Sequence, residues 1–290
     1  MKNALIDIGS NTIRLVIYDN LKEIENVADY AGLIADVKDG MISAGGIAKI
    51  ICALTKMKKT SADFGCENIY AFATASLRDI QDKESLVEAI KQATGLQIDI
   101  ISGEAEAEYD YGGLKAVNNI RDGAAFDLGG GSCQLMVFKN NSVEQSVSLP
   151  IGSLKLYTDL ITNILPSADE VNKISSKVAK ELGAIEKLSQ CGFEEIFAMG
   201  GAVFALCALD KNYLGGNGTT LTKDSLTGIM TLSHDDILKL VPKRDKTVVP
   251  AAITMLEILK FSGAKRIVAT PAGVRDGILH KNLLKFDTNE

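Results

Sequence analysis

Two short segments of the sequence combine aspartate, glycine and small polar side chains directly after an apolar run. The residues are Asp7, Gly9, Ser10, Asn11 and Thr12 in the first segment, and Asp127, Gly129, Gly130, Gly131 and Ser132 in the second. Glycine lets the backbone approach a bulky anion, and successive N–H groups in such a turn form an anion-binding nest. Ordinary hairpins also use glycine, so each segment alone leaves both interpretations open.

The aspartates of these segments, Asp7 and Asp127, come at the ends of the apolar runs. A carboxylate repels phosphate, but it can hold a hydrated Mg²⁺ that bridges to phosphate oxygens, or it can orient a water molecule. The alternative is an aspartate that caps its own turn. Because the aspartate recurs at the same place in both segments, we favour the functional interpretation.

Further segments offer groups that bind anions. Gly200 and Gly201 follow an apolar run and precede a helical pattern, so they could open a helix whose free N–H groups attract an anion. Close packing of that helix on a strand is the alternative. Arg78 and Arg275 could each clamp a phosphate through paired N–H groups. The alternative for each arginine is a surface ion pair with the aspartate that follows it.

Three glutamates alternate along one predicted helix, at Glu104, Glu106 and Glu108. On a helix Glu104 and Glu108 share a face because they are four residues apart, and Glu106 points roughly the opposite way. One of these faces can look into a binding site while the other stays solvated. Glu104 also suits the first turn of a helix, where acids favour the helix dipole.

The two aspartate–glycine segments belong to a longer internal repeat with a constant offset of 120 residues, as from Asp7 to Asp127. Identical residues are Ala4/Ala124, Asp7/Asp127, Gly9/Gly129, Leu15/Leu135 and Asn20/Asn140. Each copy predicts a strand, a tight turn and a second strand, with a third strand over 23–31 or 142–149. A repeat of this length indicates two related domains.

The remaining pattern alternates helices with strands. Apolar spacing and capping signals predict helices over 47–62, 83–94, 104–116, 168 to about 188, 222–232, 233–241, 249–261 and 274–284. Further strands are predicted over 68–74, 96–101, 195–199 and 266–270. This order predicts an α/β fold with two mixed sheets and helices packed on them. We place the domains at 1–120 and 121–290, with ligands in a cleft between them; whether the last helix packs back on the first domain stays open.

The composition excludes several classes of protein. The net charge is −6, whereas a generic nucleic-acid binder carries a basic excess, and we interpret the local basic groups as solvated. The basic groups are Lys56, Lys58, Lys59, Lys243, Arg244 and Lys246. Five scattered cysteines without a C-x-x-C pair indicate free thiols, and two histidines exclude a histidine-rich metal site. With no bilayer-length apolar stretch, we predict a cytoplasmic protein without membrane or nucleic-acid partners.

Together the segments resemble the exopolyphosphatase and guanosine pentaphosphate phosphatase family, within the superfamily of actin, heat-shock ATPases and sugar kinases. The matching residues are 6–15, 73–79, 101–107, 127–132, 200–201 and 273–277. The resemblance implies two duplicated ribonuclease H-like, actin-like domains with mixed five-stranded sheets. It also implies Mg²⁺-supported hydrolysis of a terminal phosphoanhydride bond of polyphosphate or guanosine pentaphosphate in the interdomain cleft. By the same resemblance, Glu106 is the general base on water, and Arg78 and the glycine turns neutralise shifting charge.

The chain departs from the family pattern at three places. The family motif usually runs Asp-Ile-Gly-Gly-Gly-Ser-Thr-Glu, whereas this chain ends it with Cys133 and Gln134. The position implied in metal binding beside Asp7 and Asp127 is therefore an amide, which adds no charge and predicts weaker Mg²⁺ affinity. Ala105 replaces an acid, and the residues flanking Gly200 and Gly201 lack the family's threonines.

These departures keep other interpretations open. A weakly active or inactive sensor that binds guanosine polyphosphates or polyphosphate is the main alternative, and Gln134 and Ala105 are its support. A small-molecule kinase of the same superfamily is disfavoured by the match over 101–107. Related two-domain proteins often dimerise, but the sequence carries no interface signature that decides for or against a homodimer.

Overall fold

The computed structural model describes residues 2–118, 120–190 and 192–286 of an α/β protein with two main sheets. The described residues divide into two compact units: one contains residues 2–105 and 281–286, and the other contains the described residues between 106 and 280. Four cysteines are free thiols, and Cys191 lies outside the described residues. No described helix is both long and apolar enough to span a bilayer.

The first unit is built on a five-stranded sheet with the order β3-β2-β1-β6-β7. Its elements are β1 (Lys2–Ile8), β2 (Ile13–Asp19), β3 (Lys22–Asp29), β4 (Val37–Lys38), β5 (Met41–Ile42), α1 (Ala44–Asp63), β6 (Asn68–Ala73), α2 (Ala75–Arg78), α3 (Lys83–Thr94) and β7 (Ile98–Ile100). Strands β1, β6 and β7 run parallel, whereas β2 and β3 are antiparallel neighbours. This is the mixed sheet that the sequence predicts.

The core of the first unit forms where the apolar faces of its elements meet. The central strands β1 and β2 are buried along almost their whole length, as expected for strands covered by further structure. Helix α1 turns Ile50, Leu54 and Met57 inward at helical spacing. Burying each such side chain contributes about 1.5–3 kcal/mol, so this face holds the helix on the sheet. The same sheet carries the first glycine turn, residues 9–12, between β1 and β2.

The second unit is built on a six-stranded sheet with the order β10-β9-β8-β11-β13-β12. Its elements are α4 (Gly103–Val117), which starts before the unit, then β8 (Gly123–Leu128), β9 (Cys133–Lys139), β10 (Ser142–Leu149), α5 (Ser153–Leu160), α6 (Ala168–Leu182), α7 (Glu186–Gln190), β11 (Glu195–Met199), α8 (Gly201–Leu209), β12 (Thr220–Thr222), α9 (Lys223–Ile229), α10 (His234–Leu240), α11 (Val248–Ser262), β13 (Arg266–Ala269) and α12 (Val274–Phe286). The strand added to the predicted five is β12, which pairs antiparallel with β13. It escapes sequence analysis because three residues are too short for an alternating pattern.

The two sheets confirm the internal repeat at the level of individual pairs. Asp7 pairs with Arg14 across β1 and β2, and Asp127 pairs with Gln134 across β8 and β9, each shifted by 120 residues. In both turns the glycine N–H donates to the carbonyl three residues later at 3.0 Å, from Gly9 and from Gly129. The offset found in the sequence therefore reflects a structural duplication.

The helices follow the predicted pattern with two differences. The helix predicted from 168 to about 188 ends at Leu182, and α7 is separate. The short helices α2 and α5 were not predicted, because four and eight residues give little periodicity. The predicted capping box is confirmed: the Ser167 side chain accepts from the Glu170 N–H, and the Glu170 carboxylate accepts from the Ser167 N–H.

Replacing Glu170 by glutamine should lower the free energy of unfolding at neutral pH. It should also make that free energy less dependent on pH in the acidic range. Hydrogen bonds from the N–H groups of Ser167 and Thr162, and then from their hydroxyls, lower the pKa of Glu170 from 4.5 to about 2. A depressed pKa in the folded state contributes stability that is fully present above pH 4.5 and is lost as the pH falls toward 2. Urea unfolding of both proteins from pH 7 to 2 should show a gap that closes on acidification. A gap of constant size would contradict this role of the charge.

Candidate active site

The glycine turn of the second unit is fixed by the start of helix α5. The carbonyls of Gly129 and Gly130 accept hydrogen bonds from the N–H groups of Ser153 and Lys155 at 3.0 and 2.8 Å. In a trans peptide the N–H points away from the carbonyl of the same plane. The N–H groups of Gly130 and Gly131 therefore point away from α5. This arrangement leaves them directed as donors for an anion, as a nest requires.

The first unit repeats this arrangement with a different partner segment. The carbonyls of Ser10 and Asn11 accept from the N–H groups of Ile34 and Gly32 at 3.1 and 3.0 Å. The N–H groups that follow them in the chain point the opposite way by the same peptide geometry. In addition, Thr12 Oγ1 is buried without a hydrogen-bond partner among the described residues. An orphaned buried hydroxyl costs free energy, and a bound anion would satisfy it.

The predicted glycine pair after β11 lies next to the end of β8. Gly200 adopts φ 107°, which side chains rarely take, and it precedes helix α8. A Cβ at this position would lie 2.5 Å from the Leu128 carbonyl oxygen and 2.8 Å from Asp127 Oδ1. The glycine thus brings the N-terminus of α8 against Asp127 and the second glycine turn. The close packing proposed as the alternative is present, and it places the anion-attracting helix start at the turn.

Arg244 is a site residue that sequence analysis missed. Its guanidinium group lies against Gly201 so closely that a Cβ there would overlap it. From the sequence this basic group is expected to be solvated, since nothing nearby relates it to a glycine 43 positions earlier. The structure instead places the positive charge of Arg244 at the start of α8.

Glu106 is the buried member of the three alternating glutamates. Its relative exposure is 5%, whereas Glu104 and Glu108 are exposed, which confirms the predicted split of helix faces. The Gln134 amide nitrogen donates to Glu106 Oε2 at 3.0 Å and also contacts Ser132 Oγ at 2.8 Å. The carboxylate is therefore joined through one amide to the hydroxyl that ends the glycine turn.

Small residues hold the helix that carries Glu106. A Cβ at Gly113 would lie 2.5 Å from the Gly273 carbonyl oxygen, and one at Gly277 would overlap the Tyr109 carbonyl. Helices α4 and α12 therefore approach each other closely over these glycines. The segment 273–277 thus has a packing role. Within it, burial raises the pKa of Asp276, while Arg275 opposes that shift.

Three carboxylates act electrostatically on the buried thiol of Cys133. Burial first, and then the negative charges of Asp127, Asp110 and Glu106, hold the pKa of this thiol well above 9.0. The thiol therefore stays protonated, and it adds no charge to the site. The charges of Asp127 and Glu106 thus both oppose ionisation of this thiol.

Arg78 lies in the first unit at the end of α2. Its Nη1 donates to the Ile101 carbonyl at 3.4 Å. The pKa of Glu104 is lowered, chiefly by hydrogen bonds from its own N–H and from Ser102, with a smaller effect of Arg78. Upstream of Arg78, Ser76 Oγ donates to the Ile8 carbonyl at the end of β1. Helix α2 thus starts beside the first glycine turn, as α8 starts beside the second.

The predicted site residues therefore gather in two groups, one in each unit. Asp7, the turn over 9–12 and helix α2 with Arg78 belong to the first group, and Asp127, the turn over 129–132, Gly200, Gly201, Glu106 and Gln134 belong to the second. A pocket shared by the two turns stays a prediction. Among the described residues, no cluster of three or more His, Cys, Asp or Glu side chains is arranged to hold a metal ion by itself.

Two curated proteins are similar to this chain in sequence. The chain is 26% identical to a bifunctional 3-dehydroquinate synthase/phosphatase of Fusobacterium nucleatum over 92% of this chain and 44% of that protein. It is 24% identical to exopolyphosphatase 1 of Mycobacterium tuberculosis over 63% of this chain and 55% of that protein. The chain thus spans about half the length of these curated relatives.

Two solved structures superimpose on nearly the whole of this chain. An exopolyphosphatase from Cytophaga hutchinsonii superimposes with a TM-score of 0.89, 19% identity and 98% coverage of both chains. The Aquifex aeolicus PPX-GPPA enzyme gives a TM-score of 0.76 at 25% identity, with 97% of this chain and 99% of that chain covered. The class of protein is therefore an α/β protein with the two-domain actin-like fold, as predicted.

The model of the Ppx/GppA phosphatase family matches residues 34–286. This protein belongs to the Ppx/GppA phosphatase family.

Proposed function

We propose that this protein hydrolyses terminal phosphoanhydride bonds of inorganic polyphosphate, guanosine pentaphosphate or both. The observation that carries the proposal is the buried Glu106 carboxylate, joined through Gln134 to Ser132 of the glycine turn. A base beside an anion-binding turn is the arrangement that phosphate hydrolysis needs. The relatives named exopolyphosphatase support the same class of substrate.

The reaction follows from these groups. The terminal phosphoryl group would lie against the N–H groups of Gly130 and Gly131 and the start of α8. Glu106 would take a proton from a water molecule while the oxygen of that water forms a bond to the terminal phosphorus. The bridging P–O bond breaks, and its electron pair remains on the leaving phosphate oxygen. Arg244, Arg78 and the turn N–H groups would neutralise the charge that moves there.

Mg²⁺ is part of the proposal, with Asp127 as its main protein ligand in the second unit and Asp7 as the counterpart in the first. Mg²⁺ commonly takes only one or two carboxylates, with substrate phosphates and water completing the shell. The Asp127 carboxylate fits that pattern, because Gly200 leaves room at Oδ1 where a side chain would intrude. When bound, the ion would supply charge neutralisation at the phosphate oxygens.

A sensor that binds guanosine polyphosphates or polyphosphate without efficient turnover is the second candidate. Gln134 favours it, because an amide replaces the acid found in the family motif and removes one charge from the site. The buried Glu106 favours the hydrolase, because a carboxylate joined to the end of the glycine turn can take a proton from water beside a bound phosphate. We further propose a cytoplasmic protein without nucleic-acid or membrane partners, and a homodimer stays open.

A substrate panel tests the proposal. Phosphate release should be measured from long-chain polyphosphate, tripolyphosphate and guanosine pentaphosphate, each with Mg²⁺ and with EDTA. We expect release from at least one substrate, and a loss of about 100-fold or more in EDTA, because a metal ion is worth several kcal/mol of charge stabilisation.

Two other results would count against the hydrolase. A substrate that raises the melting temperature without being hydrolysed would support the sensor instead. Absence of both release and stabilisation across the panel would contradict both candidates. Phosphorylation of an added sugar by ATP would indicate the kinase activity that the sequence disfavours.

A further inference from the structure

Gln134 occupies the centre of a buried polar network in the second unit. Its relative exposure is 1%, and its amide nitrogen lies 3.0 Å from Glu106 Oε2, 2.8 Å from Ser132 Oγ and 2.9 Å from Ser148 Oγ. The three partners come from α4, the glycine turn and strand β10. One side chain therefore connects the proposed base, the proposed phosphate site and the neighbouring strand.

The chemistry of the partners fixes the orientation of the amide. A carboxylate only accepts hydrogen bonds, so the group that faces Glu106 has to be the NH₂ and not the carbonyl of Gln134. This orientation turns the metal-binding atom of an amide, its oxygen, away from the base. A carbonyl oxygen is the only atom of glutamine that binds Mg²⁺.

The same orientation decides what the serine hydroxyls do. An amide nitrogen accepts no hydrogen bond and carries two hydrogens, so it donates to Glu106 and to one serine hydroxyl at a time, and the Ser132 proton is not directed at Gln134. The hydroxyl proton of Ser132 is then directed to another acceptor. In the proposed complex that acceptor is a phosphate oxygen, because Ser132 closes the glycine turn.

A glutamate at position 134 would reverse these relations. A carboxylate at this position of this chain would accept a hydrogen bond from the Ser132 hydroxyl, whose proton would then no longer face phosphate, and without a bound cation it would repel the Glu106 carboxylate about 3 Å away. On the basis of the proposed function, we infer that Gln134 is a positioning residue. It holds the Glu106 carboxylate in place and presents the Ser132 hydroxyl to phosphate, and it is not a ligand of Mg²⁺.

The decisive experiment compares Gln134→Glu and Gln134→Met with the wild-type protein on the substrate that the panel identifies. Both variants should lose about 10- to 100-fold in kcat, because small displacements of a base cost that much. In Gln134→Met the Mg²⁺ concentration for half-maximal rate should stay at the wild-type value, because no ligand of the ion is removed. The shift in melting temperature that Mg²⁺ produces without substrate should likewise be equal in the wild-type protein and in Gln134→Met.

Gln145→Glu is the matched control, since Gln145 lies on β10 outside the network. Its side chain donates to the Ala184 carbonyl and accepts from the Lys187 N–H. This variant should keep the wild-type kcat. A variant of either kind that equals or exceeds the wild-type kcat would overturn the positioning role, and a Gln134→Met variant that binds Mg²⁺ more weakly than the wild-type protein would restore the ligand role. The methionine variant adds no buried charge, so it decides the matter if the glutamate variant unfolds. A wild-type protein that releases no phosphate would contradict the proposed function itself, and the positioning role would fall with it.

Discussion

Glu106→Gln should lower the rate of phosphate release by about 10²- to 10⁴-fold, the usual contribution of a general base. Glutamine has nearly the same shape, and its carbonyl can still accept the hydrogen bond from the Gln134 amide nitrogen. The variant should therefore fold and bind substrate, while it lacks the basicity to take a proton from water. We expect the loss in kcat with KM little changed, because proton transfer occurs only in the transition state.

Glu108→Gln is the matched control for this experiment. Glu108 lies two residues further along α4 on the exposed face, so the same chemical change should leave the rate at the wild-type level. Initial rates of phosphate release and thermal unfolding should be measured for all three proteins. Should Glu106→Gln retain the wild-type rate while remaining folded, another group must activate the water, and the central role given to this carboxylate would be wrong.

The fold, the two glycine turns and the buried position of Glu106 could be predicted, because the sequence patterns that indicate them are local or repeated. The offset from Asp7 to Asp127 needs only a comparison of the chain with itself, and the paired strands confirm it. The inward direction of Glu106 follows from its place between two acids that share the other helix face. Such periodic patterns report burial whatever the tertiary structure turns out to be.

The rest of the site depends on contacts that only folding creates. Arg244 reaches Gly201 across 43 positions of the chain, and no periodicity links them. The orientation of Gln134 depends on a carboxylate 28 residues earlier, so the sequence alone is compatible with the amide as a metal ligand. Gly152 gives no signal either, since its role depends on the backbone that it meets.

Gly152→Ala should destabilise the protein and impair phosphate release together. Gly152 has φ −60° and ψ 145°, which alanine adopts freely, so the backbone itself sets no obstacle. The obstacle is space: an added Cβ would lie 2.5 Å from the Gly130 carbonyl carbon and closer still to Gly131 and Ser132 backbone atoms. Because these are backbone atoms, the glycine turn has to move.

Overpacking of this kind costs about 1–3 kcal/mol of unfolding free energy, and we expect the upper part of that range for Gly152→Ala. The displaced turn should also lower phosphate release by at least about 10-fold, since an error of about 1 Å in positioning is costly. Gly45→Ala in α1 is the control, because its Cβ would meet nothing nearer than Ser43 Oγ at 3.6 Å. Alanine there should leave the rate unchanged and raise stability slightly, as expected for glycine to alanine in a helix. Urea unfolding and initial rates of phosphate release should be measured on both variants. Equal unfolding free energies and equal rates for the two variants would show that contact with α5 does not fix the glycine turn.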